Sequence, residues 1–375
     1  MRKKQINILI APNSMKGSLD AFSFADLVEE AFLKASSDFF VRKVPVADGG
    51  DFTGEVLCRA LNARIVEVKV KDPLGRPVVA KYGRTGKKAI VEMADASGIK
   101  LLEVNELNPL ETTSYGTGQL IKEAIHAGCS EILLGVGGSA TVDGGLGMLE
   151  ALGFRLLDKN GNVLEGKGKN LQLIEKIHKP EIPANVSVKI ICDVNNPLLG
   201  ERGAAAVFAP QKGATPAMVA QLENGLAHWA AVVQRETGKD FSLQKGAGAA
   251  GGIAIPLLAF YSAEIVPGAS FVLSQLQLDD AVQWADIVIT GEGKIDGQTL
   301  HNKAPKAVAD IARNHKKPVF AIGGTVTRDS SEAFDGIFSM VPGPVSLKEA
   351  MEKSREMLFN FSFELAKMIR SLNKK

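Results

Sequence analysis

INILIAPNSMKGSLD, residues 6–20, is the stretch that decides the fold. Residues 6–11 form a continuous apolar run, which is typical of a strand buried on both faces of a parallel sheet. After Pro12, residues 19–35 place apolar side chains on one helical face, at Phe22, Leu27, Val28, Ala31 and Phe32. A buried strand followed by an amphipathic helix predicts the first unit of an α/β sheet.

Similar apolar runs recur near both ends of the chain, separated by helical sequence. They occupy residues 41–46, 285–290, 318–322 and 336–341. The final helix opens with a capping box formed by Ser346 and Glu349. The two ends therefore predict one doubly wound, Rossmann-like parallel sheet.

The middle of the chain has a different pattern. Residues 66–82 alternate apolar and polar side chains around a turn sequence, which predicts a hairpin, and glycine clusters follow. A length of 375 residues also exceeds what one hydrophobic core usually fills. We therefore expect an α/β fold of two domains, with the second inserted in the first. The expected bounds are 1–68 with 282–375, and 69–281.

Composition narrows the class of protein. Lys and Arg total 44 against 42 Asp and Glu, a formal charge of +2 without a concentrated basic face, which argues against a nucleic-acid partner. The cysteines Cys58, Cys129 and Cys192 are odd in number and widely spaced, as in a reducing compartment. The first apolar run is too short for a signal peptide or a membrane span. We expect a cytoplasmic protein without a membrane partner.

Two glycine-rich segments follow apolar runs. Residues 135–140 read G-x-G-x-x-A with Asp158 downstream, which alone matches a dinucleotide-binding fingerprint and leaves an NAD-dependent hydroxy-acid oxidoreductase open. The second segment, residues 291–297, is predicted as a loop beyond a strand end. Its glycines, acids and lysine suit phosphate and metal binding.

A polar loop follows the first strand. It carries Asn13, Ser14 and Lys16, and Ser18 reads as the cap of the next helix. The Lys16 cation would lie at the positive end of that helix, where it is unfavourable unless an anion binds.

Three aspartates lie at predicted strand ends or glycine turns: Asp48, Asp193 and Asp296. Phosphoryl transfer uses such acids to hold Mg²⁺ or to take the hydroxyl proton. Asn195 and Asn196 follow Asp193 and could orient a small polyol, although an ordinary turn before proline explains them equally well. The chain has no Walker-type phosphate loop, nucleophile elbow or zinc-ligand spacing.

Eight segments together resemble the bacterial glycerate kinase family, the type that makes 2-phosphoglycerate. They read APNSMKGS (11–18), VADGG (46–50), GVGGSAT (135–141), DGG (143–145), CDVNNPLLG (192–200), FAPQKGAT (208–215), GAGAAGG (246–252) and TGEGKID (290–296). The family usually has aspartate at Asn13, glycine at Phe52 and asparagine at Val142. Asn13 and Val142 thus remove a charge and an amide from predicted site loops.

The resemblance implies two α/β domains, one flavodoxin-like, with a cleft between them for ATP, Mg²⁺ and D-glycerate. Lys16, with Asn13 and Ser14, would hold the glycerate carboxylate. Asp193 would orient or deprotonate the attacking hydroxyl beside Asn195 and Asn196.

The remaining expected site residues concern the nucleotide and the metal. The phosphates are expected at Gly137, Gly138, Ser139, Gly291, Glu292, Gly293 and Lys294. Asp48 or Asp296 would bind Mg²⁺. A catalytically reduced, sugar-acid-binding relative is a further alternative, and the phosphorylated hydroxyl, the acid preference and homo-oligomerisation stay open.

Overall fold

The computed structural model describes residues 5–47, 49, 53–181, 185–300 and 303–373. Its strands are β1 (Ile6–Ile10), β2 (Phe39–Lys43), β3 (Arg64–Lys71), β4 (Pro77–Thr85), β5 (Lys88–Glu92), β6 (Glu131–Gly135), β7 (Arg155–Leu157), β8 (Val163–Leu164), β9 (Lys176–His178), β10 (Ser187–Ile191), β11 (Ser262–Val266), β12 (Ile287–Ile295), β13 (Val319–Val326) and β14 (Gly336–Ser339). Its α-helices are α1 (Ala21–Ala35), α2 (Thr53–Ala60), α3 (Ala94–Ser97), α4 (Tyr115–His126), α5 (Leu146–Ala151), α6 (Ala204–Phe208), α7 (Pro216–Thr237), α8 (Ala254–Phe260), α9 (Gly268–Gln275), α10 (Leu278–Trp284), α11 (Ala304–Asn314), α12 (Leu347–Glu352) and α13 (Ser354–Leu372). No helix within these ranges has the length and apolar composition needed to cross a membrane.

The chain divides into two compact units. The first unit combines Met1–Asp48 with Gly268–Lys375, and the second unit is Gly49–Pro267. These bounds differ from the predicted ones near residues 68 and 282. β3 pairs along its length with β4 and so belongs to the second unit's sheet. At the other boundary, α9 and α10 bury Leu273 and Leu278 in the first unit's core.

The first unit contains one five-stranded sheet in the order β14-β13-β12-β1-β2, and all neighbouring strands are parallel. Numbered along the chain within this unit, the order is the flavodoxin-like one, in which the second strand lies outside the first. Because strand side chains alternate between faces, Ile8 packs with α1 and α13 whereas Leu9 packs with α10 and α11. The predicted doubly wound parallel sheet is confirmed.

The second unit is built on a six-stranded sheet in the order β11-β10-β6-β5-β4-β3. The strands from β11 to β5 are parallel, while β5, β4 and β3 pair antiparallel. The predicted hairpin at residues 66–82 corresponds to β3 and β4. A small antiparallel sheet, β8-β7-β9, completes the strands described for this unit.

Element ends differ from the predicted ones in several places, among them β13, which continues to Val326. β2 lies slightly earlier than residues 41–46, and β12 continues to Ile295, well past residue 290. The final helix is divided at Lys353 into α12 and α13. Its capping is confirmed, because the Ser346 side chain accepts the N–H of Glu349 at 3.2 Å.

Candidate active site

The carboxyl ends of β1 and β12 lie side by side where the strand order of the first unit's sheet reverses. The N–H of Asn13 donates to the carbonyl oxygen of Gly291 at 2.8 Å. The Thr290 hydroxyl donates to the carbonyl oxygen of Ala11 at 2.7 Å. Open α/β sheets bind ligands beyond strand ends at such a reversal. The structure thus brings two of the predicted site segments together at a place suited to a ligand.

In the loop that follows β1, Lys16 and Gly17 are exposed, whereas Asn13 and Ser14 are buried. The Asn13 side-chain oxygen accepts the Ser14 N–H at 2.8 Å and so shapes the turn. A Cβ atom placed on Gly293 would lie 3.7 Å from the backbone nitrogen of Lys16. Lys16 therefore belongs to the same edge of the sheet as Gly293, within reach of solvent.

The cap of α1 is Asp20, so the prediction for Ser18 is wrong. The Asp20 carboxylate accepts the N–H groups of Phe22 at 2.9 Å and Ser23 at 2.8 Å. Burial alone would raise the pKa of Asp20, but the hydrogen bonds from Ser23 and Phe22 lower it. Because Asp20 already supplies a negative charge at this helix end, the helix gives no reason to expect an anion beside Lys16. The reason to expect an anion beside Lys16 is instead its position at the reversal of strand order.

The glycine segment at residues 291–294 lies in strand β12 and is not the predicted loop. Gly291 pairs with Ile322, Glu292 with Gly323, and Lys294 follows in the same ladder with β13. Glycine at residue 291 has a packing cause, since a Cβ atom there would lie 2.3 Å from the Ile322 carbonyl oxygen. Gly293 is less crowded, because the nearest atom to a Cβ would be Met15 Cα at 3.5 Å.

The acids of this segment are engaged with neighbours in the first unit. Glu292 is buried, and its carboxylate accepts from the Thr299 hydroxyl at 2.6 Å and from Lys303 Nζ at 3.4 Å. Asp296 pairs with Lys294 at 2.8 Å. That pair raises the pKa of Lys294, which is held as a cation.

Among the residues that the structure describes there is no closed metal cage. No group of three or more His, Cys, Asp or Glu that could hold an ion occurs in the part of the chain that it describes. Asp48, the other expected Mg²⁺ ligand, and Phe52 lie outside the described residues. A site with one or two carboxylates is still compatible with Mg²⁺, because this ion usually takes its other ligands from water and substrate phosphates.

In the second unit, Asp193 and the loop at residues 137–139 follow neighbouring parallel strands. β10 and β6 are in register to their ends, where Ile191 pairs with Gly135. Asp193 is half-buried and Gly138 is exposed. Adjacent parallel strands end at one edge of a sheet, so both predicted segments lie at the same edge of this unit.

The loop after Asp193 is fixed by backbone contacts. The Asn196 side chain donates to the Arg202 carbonyl oxygen at 2.7 Å, while Asn195 is exposed. The carbonyl oxygen of Asn196 accepts the Gly248 N–H at 3.0 Å. Asn196 therefore has a structural partner, and Asn195 is the amide that faces solvent.

The glycine cluster at residues 246–252 is explained by close backbone approach. A Cβ atom on Gly248 would lie 2.2 Å from the Pro197 carbonyl oxygen. One on Gly251 would lie 2.2 Å from the Thr141 carbonyl oxygen, and Gly251 also has a φ of +70°. The glycines therefore let this cluster pack closely against the backbone of the loops after β10 and β6.

The dinucleotide-binding interpretation of residues 135–140 is wrong. Helix α5 begins only at Leu146, so the glycine loop does not open onto a helix N-terminus as that fingerprint requires. Asp158 lies in the turn between β7 and β8, where its carboxylate accepts the N–H groups of Asn160 and Asn162, both at 2.8 Å. The loop is instead clamped by residues 97–99, through bonds from Ile99 to Gly138 at 2.8 Å and from Ala140 to Ser97 at 2.9 Å.

Asp143 is fully buried beyond this loop. Burial raises its pKa, against four hydrogen bonds that favour the ionised form. The donors are the Ser114 hydroxyl and N–H, each at 2.7 Å, and the N–H groups of Gly145 at 3.1 Å and Gly147 at 3.2 Å. Asp143 therefore ties the loop after β6 to the start of α4.

Val142 belongs to the hydrophobic core. It is fully buried among Leu149, Trp229 and other apolar side chains. The sequence interpretation that Val142 changes a site-lining position is therefore wrong.

Lys212 is a buried side chain near the loop that sequence reasoning did not select. It is 2% exposed, and its Nζ donates to Ser139 Oγ at 2.8 Å and to the Thr141 carbonyl oxygen at 2.7 Å. Its only sequence signal is its place in the segment at residues 208–215. Burial of a lysine cannot be read from such a segment.

Comparisons with known proteins agree over almost the whole chain. The family model described as the glycerate kinase family matches residues 8–370. A glycerate kinase of Bacillus subtilis (strain 168) is 42% identical over 374 residues, which are 97% of this chain and 98% of that protein. A glycerate 2-kinase of Escherichia coli (strain K12) is 39% identical over 370 residues, 96% and 97% of the two chains.

A solved structure is similar as well. The crystal structure of a candidate glycerate kinase 2 from Salmonella typhimurium LT2 aligns with a TM-score of 0.86 and 40% identity, covering 99% of this chain and 100% of that one. The sequence, the family model and the fold thus lead to one assignment. The chain belongs to the glycerate kinase family and is a kinase.

Proposed function

We propose that the chain transfers the γ-phosphoryl group of ATP to the 2-hydroxyl of D-glycerate, with Mg²⁺ bound to the nucleotide. Family membership supplies the reaction class. The location of the site is inferred from the junction of the loop after β1 with β12. There Asn13 bonds to Gly291 at 2.8 Å and Lys16 is exposed. This junction is where a flavodoxin-like sheet binds its ligand.

Lys16 is proposed to bind the glycerate carboxylate. Its ammonium group is the exposed cation of the loop, and Asn13 and Ser14 set the loop's shape beneath it. A charge-assisted bond from an ammonium to a carboxylate is stronger than a neutral one. Lys16 would therefore contribute mainly to substrate affinity.

Asp193 is proposed to take the proton of the attacking hydroxyl. The exposed amide of Asn195 is proposed to orient the glycerate. The hydroxyl oxygen forms a bond to the γ-phosphorus while the bond from that phosphorus to the β,γ-bridging oxygen breaks. ADP leaves with that oxygen, and the hydroxyl proton passes to the Asp193 carboxylate.

The triphosphate is proposed to bind at Gly137, Gly138 and Ser139 and at Gly291, Glu292, Gly293 and Lys294. Lys294 is 64% exposed at its side chain and so accessible to an anion, although it now pairs with Asp296. Mg²⁺ would be held by Asp48 or Asp296 together with phosphate oxygens and would neutralise charge on the phosphates.

The cytoplasm is the compartment we propose. Cys58, Cys129 and Cys192 are all free thiols, and the buried Cys129 and Cys192 have raised pKa values because of burial. Thiols kept free in this way fit a reducing environment.

The test is ATP consumption across a panel of small hydroxy acids, with and without Mg²⁺. We expect D-glycerate to be consumed fastest and turnover to require the metal. ATP binding without turnover on any acid would instead indicate a catalytically reduced relative.

A further inference from the structure

Lys212 occupies a position that is unusual for a lysine. It ends a short 3₁₀ turn, Pro210–Lys212, and is followed by Gly213 with a φ of +90°. A Cβ atom on Gly213 would lie 2.3 Å from the Leu107 carbonyl oxygen. The backbone is therefore fixed on both sides of the lysine, and the side chain is directed under the loop at residues 137–141, where it bonds to Ser139 and Thr141.

Burying an amine here is unfavourable for stability. Burial lowers the pKa of Lys212 to about 7, and the negative field of Asp143 only partly offsets it. An apolar side chain of similar length would fill the same space without this penalty. Such an arrangement indicates that the amine has a task beyond filling the core.

The bond to Ser139 has a directional consequence. In its ammonium form Lys212 has donors only, so Ser139 Oγ accepts from it. Within the described ranges, Lys212 is the only partner recorded for the Ser139 hydroxyl. The hydroxyl proton is therefore left to be donated away from Lys212.

The carbonyl oxygens on both sides of Ser139 already accept hydrogen bonds. That of Gly138 accepts from the Ile99 N–H at 2.8 Å, and that of Ala140 accepts from the Thr112 hydroxyl at 3.0 Å. Gly138 is exposed and Ser139 is 8% exposed, so a ligand can approach the loop at its tip. A polarised hydroxyl donor beside an exposed glycine suits an anionic oxygen, as a phosphate provides.

We propose that Lys212 is a positioning residue that holds Ser139 as a hydrogen-bond donor to a phosphate oxygen of the nucleotide. The inference rests on the proposed function, in which the loop at residues 137–139 binds the triphosphate. Lys212 acts through Ser139 and does not itself touch the nucleotide.

The experiment is a double-mutant cycle with Lys212→Met and Ser139→Ala, with ADP binding measured by calorimetry and the KM for ATP by steady-state kinetics. Each single variant should weaken ADP binding by roughly 10- to 100-fold, because a hydrogen bond to a charged group is lost. The double variant should bind ADP no more weakly than the single variant that has the lower ADP affinity. The kcat should fall less than the affinity does.

Lys88→Met is the matched control. Lys88 begins β5, at the amino end of the parallel strands, whereas the loop at residues 137–139 follows the carboxyl end of β6. Lys88 pairs with Glu131 at 3.3 Å. ADP affinity should be unchanged by this substitution. A loss there equal to that of Lys212→Met would overturn the inference.

Two further outcomes would also overturn it. One is a set of additive losses in the cycle, because a structural role for Lys212 would persist without the Ser139 hydroxyl. The other is normal ADP affinity in Ser139→Ala, which decides the matter even if Lys212→Met does not fold. Failure of the proposed function is separate: wild-type protein would not phosphorylate glycerate, whereas the ADP cycle would still show coupling.

Discussion

The backbone N–H of Asn13 donates to the carbonyl oxygen of Gly291 across 2.8 Å and joins the loop after β1 to the far half of β12. Because β1 ends at Ile10 and β12 continues to Ile295, the second half of β12 extends beyond its neighbour. The loop with Lys16 lies beside this extended half of β12. The first unit therefore has one defined edge at which a small anion can meet both segments.

The two glycines of β12 should respond differently to substitution. Gly291→Ala places a Cβ atom 2.3 Å from the Ile322 carbonyl oxygen and 2.7 Å from Phe24 Cζ, so the core must shift. We expect a loss of about 1–3 kcal/mol in the free energy of unfolding, measured in urea. Gly293→Ala meets nothing closer than 3.5 Å and is the matched control for stability. Equal destabilisation by both would contradict this account of β12.

Lys16→Met should raise the KM for glycerate by roughly 10- to 100-fold, because one charge-assisted bond to the carboxylate is lost. The kcat should change less, and thermal stability should stay the same since the side chain is exposed. The control is Lys348→Met, an 86% exposed lysine of the same unit. A normal KM in Lys16→Met would remove Lys16 from the substrate site.

Asp193→Asn should leave the fold intact and lower kcat by roughly 10²- to 10⁴-fold, the range of a general base. Steady-state kinetics with saturating ATP and glycerate measures it. Asp240→Asn is the control, since that carboxylate accepts the Ser242 N–H at 2.8 Å in a turn that contains none of the proposed site residues. Near-normal turnover in Asp193→Asn would exclude Asp193 as the base.

Stability should rise with pH on account of Lys212. Burial lowers its folded-state pKa from 10.5 to about 7, so between these values the unfolded chain binds the additional proton. Unfolding is therefore favoured at the lower pH, and the penalty fades as the pH rises. Urea unfolding at about pH 7 and about pH 9 should show this gain in the wild type and a smaller one in Lys212→Met. Identical slopes in both proteins would show that Lys212 does not titrate as described.

The sequence predicted those parts of the fold that depend on local pattern. The buried run at β1, the capped helix after Ser346 and the β3–β4 hairpin are each encoded by periodicity and turn residues. The end of β12 was not predicted, because glycines favour a loop when the neighbouring strand is not known. Pairing with β13 continues along this half of β12, from Glu292 with Gly323 to Lys294 with Thr325.

The sequence predicted that Lys16 and Asp193 follow strand ends, and they follow β1 and β10. Their roles in the site stay predictions. Tertiary contacts decide the other positions. Val142 is in the core because Trp229 and Leu149 reach it from distant segments. Lys212 is joined to Ser139 across more than seventy positions of sequence, and no local signal reports such a contact.

The reaction proposed for this chain is phosphorylation of glycerate at its 2-hydroxyl. Phosphorus NMR of a reaction with ATP, Mg²⁺ and D-glycerate is the decisive experiment, because the product resonance and its proton coupling distinguish the two phosphorylated positions. We expect 2-phosphoglycerate to accumulate in step with ADP. Accumulation of 3-phosphoglycerate alone, or ADP formed only with free phosphate, would contradict it.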